Sequence, residues 1–276
     1  MTRSDRITHT LSYIVLLAFA FIVLLPFYFM VITSLKESNA AFYVNPFLPG
    51  RPTLANYVDA WTKGKLWRYF LNSVIFSFCS VSGVLIFSIT GGYALARTQI
   101  KGRNAILLLF LGTLMLPAQI TVIPLFKLFA RWHMLNTYIG LIIPYVAGGI
   151  AFSSFILRGF FLSLPGELGD AGRIDGCTDM GVFFRVMLPL SLPGIATVAL
   201  FNFIGVWGEF FLALIFISVD SMKPITYGVF SFTEQYQTNW PGLAAGYTIA
   251  IVPSILVFLL TQGFFVQGIM AGALKG

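Results

Sequence analysis

Charged residues are scarce in this 276-residue sequence, where Asp, Glu, Lys and Arg together make up 10% of the positions. A soluble domain carries roughly 25% charged residues, so this chain has too few to cover a surface that faces water. Hydrophobic residues make up 58% of the sequence, and the mean hydropathy is +0.87. The composition therefore excludes a soluble globular protein and predicts an integral membrane protein.

Cysteine, histidine and nucleotide-binding motifs are rare or missing as well. Cys79 lies in an apolar segment and Cys177 in a charged one, so no disulfide between them is expected. His9 and His133 stand alone, which gives no metal-ligand spacing. The sequence contains no Gly-x-x-x-x-Gly-Lys phosphate loop and no recognisable nucleophile–base pair. These absences argue against an enzyme and predict that this chain itself binds neither a metal ion nor ATP.

Long apolar segments are what the sequence has in abundance. A helix rises about 1.5 Å per residue, so roughly 20 apolar residues cross the ~30 Å hydrocarbon core of a bilayer. Segments of that kind cover residues 11–33, 70–96, 104–126, 138–157, 194–219 and 243–266. We therefore predict an all-α membrane protein, with residues 1–276 forming a single domain of six transmembrane helices. Residues 52–61 are predicted to add a short amphipathic helix on the membrane surface.

The distribution of cations indicates the orientation of these spans. Arg97, Lys101 and Arg103 crowd one short turn, and the tendency of cations to stay in the cytoplasm is strongest for short turns. This places both termini and the loop at residues 158–192 in the cytoplasm, although the cations left on the outer side are almost as numerous. The net charge of +7 is spread over the loops, so it indicates topology rather than nucleic-acid binding.

Five prolines lie in or near the apolar segments: Pro26, Pro117, Pro124, Pro144 and Pro253. A proline removes a backbone donor and clashes with the preceding turn, so we expect the first span to be interrupted at Pro26 and the third at Pro117 and Pro124. Broken helices persist in membranes where protein or a water-lined cavity satisfies the freed carbonyl. Five together favour a moving, cavity-lining bundle, and the alternative is that each is simply tolerated.

One acidic residue, Glu209, falls inside an apolar segment. A charge at mid-membrane costs about 2.5–3.5 kcal/mol, so such a residue normally faces the bundle interior or a cavity. Asn202 lies seven residues earlier and therefore on the same helix face. We name Asn202, Trp207 and Glu209 as a candidate substrate path, and the alternative is a structural hydrogen bond to another helix. The spans offer little else that is ionisable, which argues against a proton- or sodium-coupled carrier.

The loop at residues 158–192, called the charged loop below, is the most polar stretch between spans. Its acidic residues are Glu167, Asp170, Asp175 and Asp179. Ser163 and Pro165 suit a helix start and Gly176 suits a stop, which predicts a helix from about Leu164 to Asp175. Glycines are poor helix formers, and their presence in an exposed helix favours close packing by another protein. The alternative is a plain connecting loop.

The segment from Glu167 to Gly176, followed by Leu188-Pro189-Leu190 and Pro193, resembles the EAA loop of ABC importer permeases. In that family the loop forms a coupling helix that docks on an ATPase subunit. The resemblance therefore implies that this chain has such a coupling helix. The residues that would dock on the ATPase subunit are Glu167, Leu168, Asp170, Ala171, Gly172, Ile174, Asp175 and Gly176. Two positions depart from the usual pattern, because Asp170 stands where Glu is common and Gly172 where the second Ala is common.

Other stretches resemble the maltose-type, carbohydrate-uptake branch of the same family. These are Pro52-Thr-Leu-Ala-Asn-Tyr, Leu116-Pro117, Pro124-Leu-Phe, Leu135-Asn-Thr-Tyr-Ile-Gly-Leu, Trp207-Gly-Glu-Phe and the ending that starts at Gly268. Gly208 replaces the branch's usual Asn. The matches extend over nearly the whole chain.

The resemblance implies a permease subunit of an ATP-driven importer, in a bacterial or archaeal cytoplasmic membrane, for a sugar delivered by an extracytoplasmic binding protein. Its partners would be a second permease subunit and two ATPase subunits, which carry the ATP and magnesium. One alternative is an importer of another solute, such as a polyamine, phosphate or a phosphodiester. A less favoured alternative is a channel or ion-coupled carrier that needs no ATP.

Overall fold

The computed structural model describes residues 3–37, 45–235 and 239–273, and this part of the chain contains helices and no strand. The α-helices are α1 (Arg3–Ser34), α2 (Ala55–Thr62), α3 (Leu66–Arg97), α4 (Arg103–Leu114), α5 (Ala118–Arg131), α6 (Tyr138–Ser163), α7 (Glu167–Ile174), α8 (Asp179–Val182), α9 (Leu188–Leu190), α10 (Leu192–Trp207), α11 (Phe211–Phe216), α12 (Ile225–Gln235) and α13 (Trp240–Ala273). A π-helical turn (Phe183–Met187) joins α8 to α9. The predicted all-α class is confirmed.

Four helices are individually long and apolar enough to cross a membrane, and they lie in α1, α3, α6 and α13. The predicted third span is instead a pair, α4 and α5, whose axes differ by 99°. The predicted fifth span, residues 194–219, is instead divided between α10 and α11. A second bent pair forms where α10 meets the preceding segment Asp179–Leu190, which belongs to the loop at residues 158–192, at 71°. The chain therefore has six spans if each bent pair counts as one. The fifth-span helix itself ends at Trp207, before the predicted boundary at residue 219.

Only one of the five prolines stands at a helix break. Pro117 has an extended backbone with ψ at 126°, and it separates α4 from α5. Helices run without interruption through Pro26, Pro124, Pro144 and Pro253. The expected break at Pro117 is confirmed, and the expected breaks at Pro26 and Pro124 are wrong, because the helix around each of these two prolines absorbs the loss of one hydrogen bond.

The chain divides into two compact units, which we describe separately. The first comprises residues 1–67 and 228–251. In it the predicted amphipathic helix is present as α2, and its side chains fasten the end of α1. The Tyr57 hydroxyl lies 2.6 Å from the Ser34 hydroxyl, and the Asn56 amide donates to the carbonyls of Ser34 and Lys36 at 2.8 Å each.

The second unit comprises residues 68–227 and 252–276, and it contains the charged loop. Its centre is a close pair formed by α3 and α6, in which a glycine on each helix accommodates a valine of the other. A Cβ placed on Gly83 would lie 2.7 Å from Val146, and one placed on Gly149 would lie 2.6 Å from Val84. Small residues allow helix backbones to approach this closely in membranes.

Candidate functional site: the charged loop

The helix predicted inside the charged loop is present as α7, although it begins at Glu167 rather than Leu164. Its end matches the prediction closely. Gly176 has a φ of 86°, a left-handed conformation that glycine adopts without strain. The Gly176 amide donates to the Arg173 carbonyl at 3.0 Å, and the Cys177 amide donates to the Gly172 carbonyl at 2.9 Å. These two bonds form a Schellman motif, which ends the helix at Gly176.

The glycines of α7 lie on its inner face, against the chain's own residues. Gly169 and Gly172 are both buried. A Cβ on Gly172 would lie 3.3 Å from Val182 and 3.4 Å from Val186, and one on Gly169 would lie 3.3 Å from Met187. The expectation that these small residues face a partner protein therefore differs from what the structure shows. They permit α7 to pack closely on the following segment of the same loop.

The opposite face of α7 is open to solvent in this chain. The exposed members of the predicted docking set are Glu167, Leu168, Asp170, Ala171, Ile174, Asp175 and Gly176. Ile174 is the most conspicuous of them, since 86% of its surface is accessible, and Leu168 is 36% accessible. An isoleucine exposed to that extent at the end of an acidic helix marks a surface that gains stability when another molecule covers it.

The charges of the loop bind one another across its surface. The Arg173 guanidinium donates to Asp170 at 2.9 Å and to Asp179 at 3.0 Å, which joins α7 to the start of α8. The hydrogen bond that Arg173 donates to Asp179 is the main cause that raises the pKa of Arg173, followed by the negative charges of Asp179 and Asp170. Because all three side chains are exposed, these pairs orient the loop and contribute little to its stability.

A hydrophobic cluster anchors the second half of the charged loop to the helices of its unit. Val182, Phe183 and Met187 are buried together with Leu157 and Phe161 of α6. Phe183 and Met187 are the first and last residues of the π-helical turn. Such turns recur at functional sites in helices. The loop is thus a packed structure with a fixed inner face.

The second predicted group, Asn202, Trp207 and Glu209, is engaged in packing and hydrogen bonds. The Asn202 amide donates to the Ser153 hydroxyl at 2.8 Å, and the Tyr145 hydroxyl donates to Glu209 Oε2 at 2.7 Å. Ser153 and Tyr145 both belong to α6, so these bonds join α10 and its end to that helix. Trp207 is 3% exposed and packs against the rings of Phe70 and Phe203.

The Glu209 carboxyl also caps the next helix. Its Oε1 accepts from the Leu212 amide at 2.6 Å, and its Oε2 accepts from the Ala213 amide at 3.2 Å. These amides belong to the first turn of α11, whose free N–H groups need acceptors. The described geometry therefore favours the structural alternative for Glu209, while its place in a substrate path stays a prediction.

We expect Glu209→Ala to lower the free energy of unfolding of the purified protein by about 1–3 kcal/mol, because it leaves part-buried donors of Tyr145, Leu212 and Ala213 without their acceptor. Thermal unfolding in detergent measures this effect. Thr90→Val is the matched control, since the exposed Thr90 hydroxyl bonds only to carbonyls of its own helix. Unchanged stability with a raised KM for uptake would instead assign Glu209 to the substrate path.

The sequence reasoning missed a second polar cluster, at the end of α6 opposite to the charged loop. Asn136 Oδ1 accepts from the Ser218 amide at 2.6 Å, the Ser218 hydroxyl at 3.0 Å and the Val219 amide at 3.1 Å. Tyr138 donates to Asn72 of α3 at 2.7 Å, and the Asn72 amide in turn donates to the carbonyls of Ser221 and Lys223. The sequence signal for this cluster was the motif at residues 135–141, because it places the polar residues Asn136 and Tyr138 close together at the start of an apolar segment.

No group of three His, Cys, Asp or Glu side chains among residues 3–37, 45–235 and 239–273 is arranged to hold a metal ion. The arrangements that do stand out are a rigid loop with one exposed face and a helix pair that supports it. Neither feature provides the groups of a catalytic centre.

Comparison with known proteins gives a consistent result. A family model described as the binding-protein-dependent transport system inner membrane component matches residues 88–271, which include the whole charged loop. The probable ABC transporter permease protein YurM of Bacillus subtilis is 39% identical over 246 residues, which cover 89% of this chain and 82% of YurM. The arabinooligosaccharides transport system permease protein AraQ of Halalkalibacterium halodurans is 38% identical, over 83% of this chain and 82% of AraQ.

Among solved structures, the fold is similar to a chain in the crystal structure of a bacterial ABC transporter involved in the import of the acidic polysaccharide alginate. The TM-score is 0.81 at 25% sequence identity, and the match covers 96% of this chain and 99% of that one. The overall fold of the chain is therefore similar to one that has been observed by crystallography.

Proposed function

Because this chain belongs to the family of inner membrane components of binding-protein-dependent transport systems, we propose that it forms half of the translocation path of an ATP-driven sugar importer. The chain is a multi-pass membrane protein and a transport subunit rather than an enzyme. The observation that carries the proposal is α7, a short helix whose inner face is packed in place and whose outer face is bare. Such a helix is suited to docking on a second protein.

The proposed partner at the outer face of α7 is an ATP-binding subunit. Leu168 and Ile174 would enter a cleft of that subunit, and the carboxylates of Glu167, Asp170 and Asp175 would meet its cationic rim. ATP and magnesium would bind there, since this sequence has no phosphate loop. The complete importer would contain two such subunits, a second permease and an extracytoplasmic binding protein.

The proposed orientation places both termini and α7 in the cytoplasm of a bacterial or archaeal cell, with the chain in its cytoplasmic membrane. The cations of the turn at residues 97–103 support this orientation. Closure of the ATPase dimer would move the charged loop, and the spans attached to the loop would then open the path alternately to each side.

A sugar is the substrate class that the relatives support. AraQ is named for arabinooligosaccharides, and the structural neighbour imports alginate, an acidic polysaccharide. Importers of polyamines, phosphate or phosphodiesters are the alternative within the family. A channel or an ion-coupled carrier would need no ATPase, so co-purification with an ATP-binding subunit separates that class from the proposal.

The test is ATPase stimulation of the reconstituted complex in liposomes. The assay supplies a panel of binding proteins, each loaded with one candidate solute. We expect a sugar-loaded binding protein to stimulate hydrolysis and sugar uptake together. Stimulation by a phosphate- or polyamine-loaded protein alone would contradict the sugar assignment, and uptake that persists without ATP would contradict the proposal as a whole.

A further inference from the structure

Helices α3 and α6 run parallel and form a continuous contact along their lengths. Gly83 meets Val146, and toward the charged loop Gly92 meets Leu157, so the offset in residue number stays nearly constant along both helices. A Cβ on Gly92 would lie 3.0 Å from Leu157 Cβ and 3.1 Å from the Arg158 amide nitrogen. Both helices therefore end at the same place, where the charged loop begins.

An arginine on each helix binds the last carbonyls of the other. The Arg97 guanidinium donates from Nε to the Phe161 carbonyl at 3.0 Å and from Nη2 to the same oxygen at 2.7 Å. Its Nη2 also donates to the carbonyl of Leu164, the residue that follows α6. In return, Arg158 Nε donates to the Leu95 carbonyl at 3.3 Å. We call these contacts the arginine clamp.

The clamp fits the chemistry of helix ends. The last carbonyls of a helix have no partner within it, and they form the negative end of its dipole. Guanidinium offers several donors in a rigid plane, so Arg97 reaches both Phe161 and Leu164 at once, which a single ammonium group does poorly. Leu164 lies three residues before Glu167, the first residue of α7. Arg97 therefore ties the entrance of the charged loop to α3.

Aromatic packing beside the arginine clamp holds the second half of the charged loop to the same two helices. The Tyr93 ring of α3 lies 5.3 Å from the Phe161 ring of α6 and 4.7 Å from the Phe183 ring of the loop, measured between centroids. Tyr93 is one helical turn before Arg97. Both the start of the charged loop, at Leu164, and its second half, at Phe183, therefore contact α3 close to the end of α6.

We propose that Arg97 is a positioning residue for the coupling of ATP hydrolysis to transport, because it makes α3, α6 and the charged loop move as one body. This inference rests on the proposed function. Displacement of α7 would be transmitted to α3 through the clamp. At the far end of the pair, Tyr138 of α6 donates to Asn72 of α3, and Asn72 donates to the carbonyls of Ser221 and Lys223, so the same body would extend across the membrane.

The test measures solute transported per ATP hydrolysed in the reconstituted complex, for Arg97→Gln and Arg97→Lys. A loosened clamp leaves α7 seated on the ATPase but disconnects it from α3. We expect Arg97→Gln to retain ATP hydrolysis and to lower the ratio at least about tenfold, which corresponds to about 1.4 kcal/mol. Arg97→Lys should lower it less, since an ammonium group retains the charge and part of the bonding.

Arg103→Gln is the control, because Arg103 lies in the nearby turn at the start of α4, and its ratio should equal that of the parent. A ratio of transport to hydrolysis that equals the parent's in both Arg97 variants would overturn the inference. If transport and hydrolysis both fall in proportion, the role of Arg97 is merely structural. If Arg97→Gln fails to assemble, the ratio in Arg97→Lys decides. Failure of the parent chain to co-purify with an ATPase would instead contradict the proposed function.

Discussion

Gly172→Leu is expected to abolish transport while the protein still inserts in the membrane. The Cβ of any side chain at this position already lies 3.3 Å from Val182, which is tighter than ordinary packing, and 3.4 Å from Val186, which is in van der Waals contact. The further atoms of leucine have no space between α7 and α8. Overpacking of this kind costs roughly 1–3 kcal/mol, and the structure can relieve it by lifting α7 from the loop. The outer face of α7 would then no longer be held for docking.

Gly172→Ala is the matched control. It adds only the Cβ, and alanine favours the helix by about 1 kcal/mol over glycine, so the tight contact and the propensity oppose each other. We expect transport in this variant to stay within a few-fold of the parent. Uptake into liposomes, normalised to the amount of folded protein on size-exclusion chromatography, measures both variants. Full uptake by Gly172→Leu would show that the inner packing of α7 does not matter for transport.

Ile174→Asp is expected to weaken binding of the chain to the proposed ATPase subunit without affecting the fold of the chain itself. The Ile174 side chain is 86% exposed, so it contributes little to the stability of this chain on its own. Burial of an isoleucine side chain contributes about 1.5–3 kcal/mol, and a carboxylate in its place adds a cost of desolvation. Because each 1.4 kcal/mol is a factor of ten in the dissociation constant, affinity should fall at least about tenfold.

Co-purification of the ATPase with the tagged permease reports this change. Ile174→Val, which keeps a branched apolar side chain, should retain the ATPase. Met180→Asp is a second control, since Met180 is a 68% exposed apolar residue of the same loop outside α7. Equal retention by Ile174→Asp and the parent would place the docking surface elsewhere.

Much of the fold follows from local chemistry and was therefore predictable. Apolar length fixes α1, α3, α6 and α13 as candidate spans, and their positions agree with the prediction to within a few residues for most ends. The end of α7 was predictable for the same reason, because a left-handed residue is required there and glycine supplies it. The predicted surface helix at residues 52–61 is also present, as α2.

The unpredicted features depend on contacts between distant residues. The sequence shows that Gly169 and Gly172 are small, but only the fold shows that Val182 and Met187 lie against them. The partners of Glu209 lie in α6 and in the turn that follows, so its hydrogen bonds could not be assigned in advance. Each proline removes one backbone hydrogen bond of a helix, yet the chain breaks at Pro117 and continues as a helix through Pro26. The sequence around the two prolines does not show this difference in advance.

These corrections sharpen the account of the charged loop. One face of α7 packs on the chain itself through its glycines, and the other leaves Leu168 and Ile174 exposed, where we propose that a partner docks. The departure from alanine at position 172 therefore adjusts the inner packing, while the aspartate at 170 is held by Arg173 on the outer surface. The two positions affect different properties of the loop.

The most direct measurement for the central claim is site-specific photocrosslinking in cell membranes. A benzophenone amino acid at position 174 samples the outer face of α7, and the same amino acid at position 108 samples the exposed side chain of α4, where Leu108 is 69% accessible. We predict that position 174 crosslinks to a protein with a Gly-x-x-x-x-Gly-Lys phosphate loop, identified by mass spectrometry, and that position 108 does not. Absence of that product at position 174, with the chain intact in the membrane, would contradict the account.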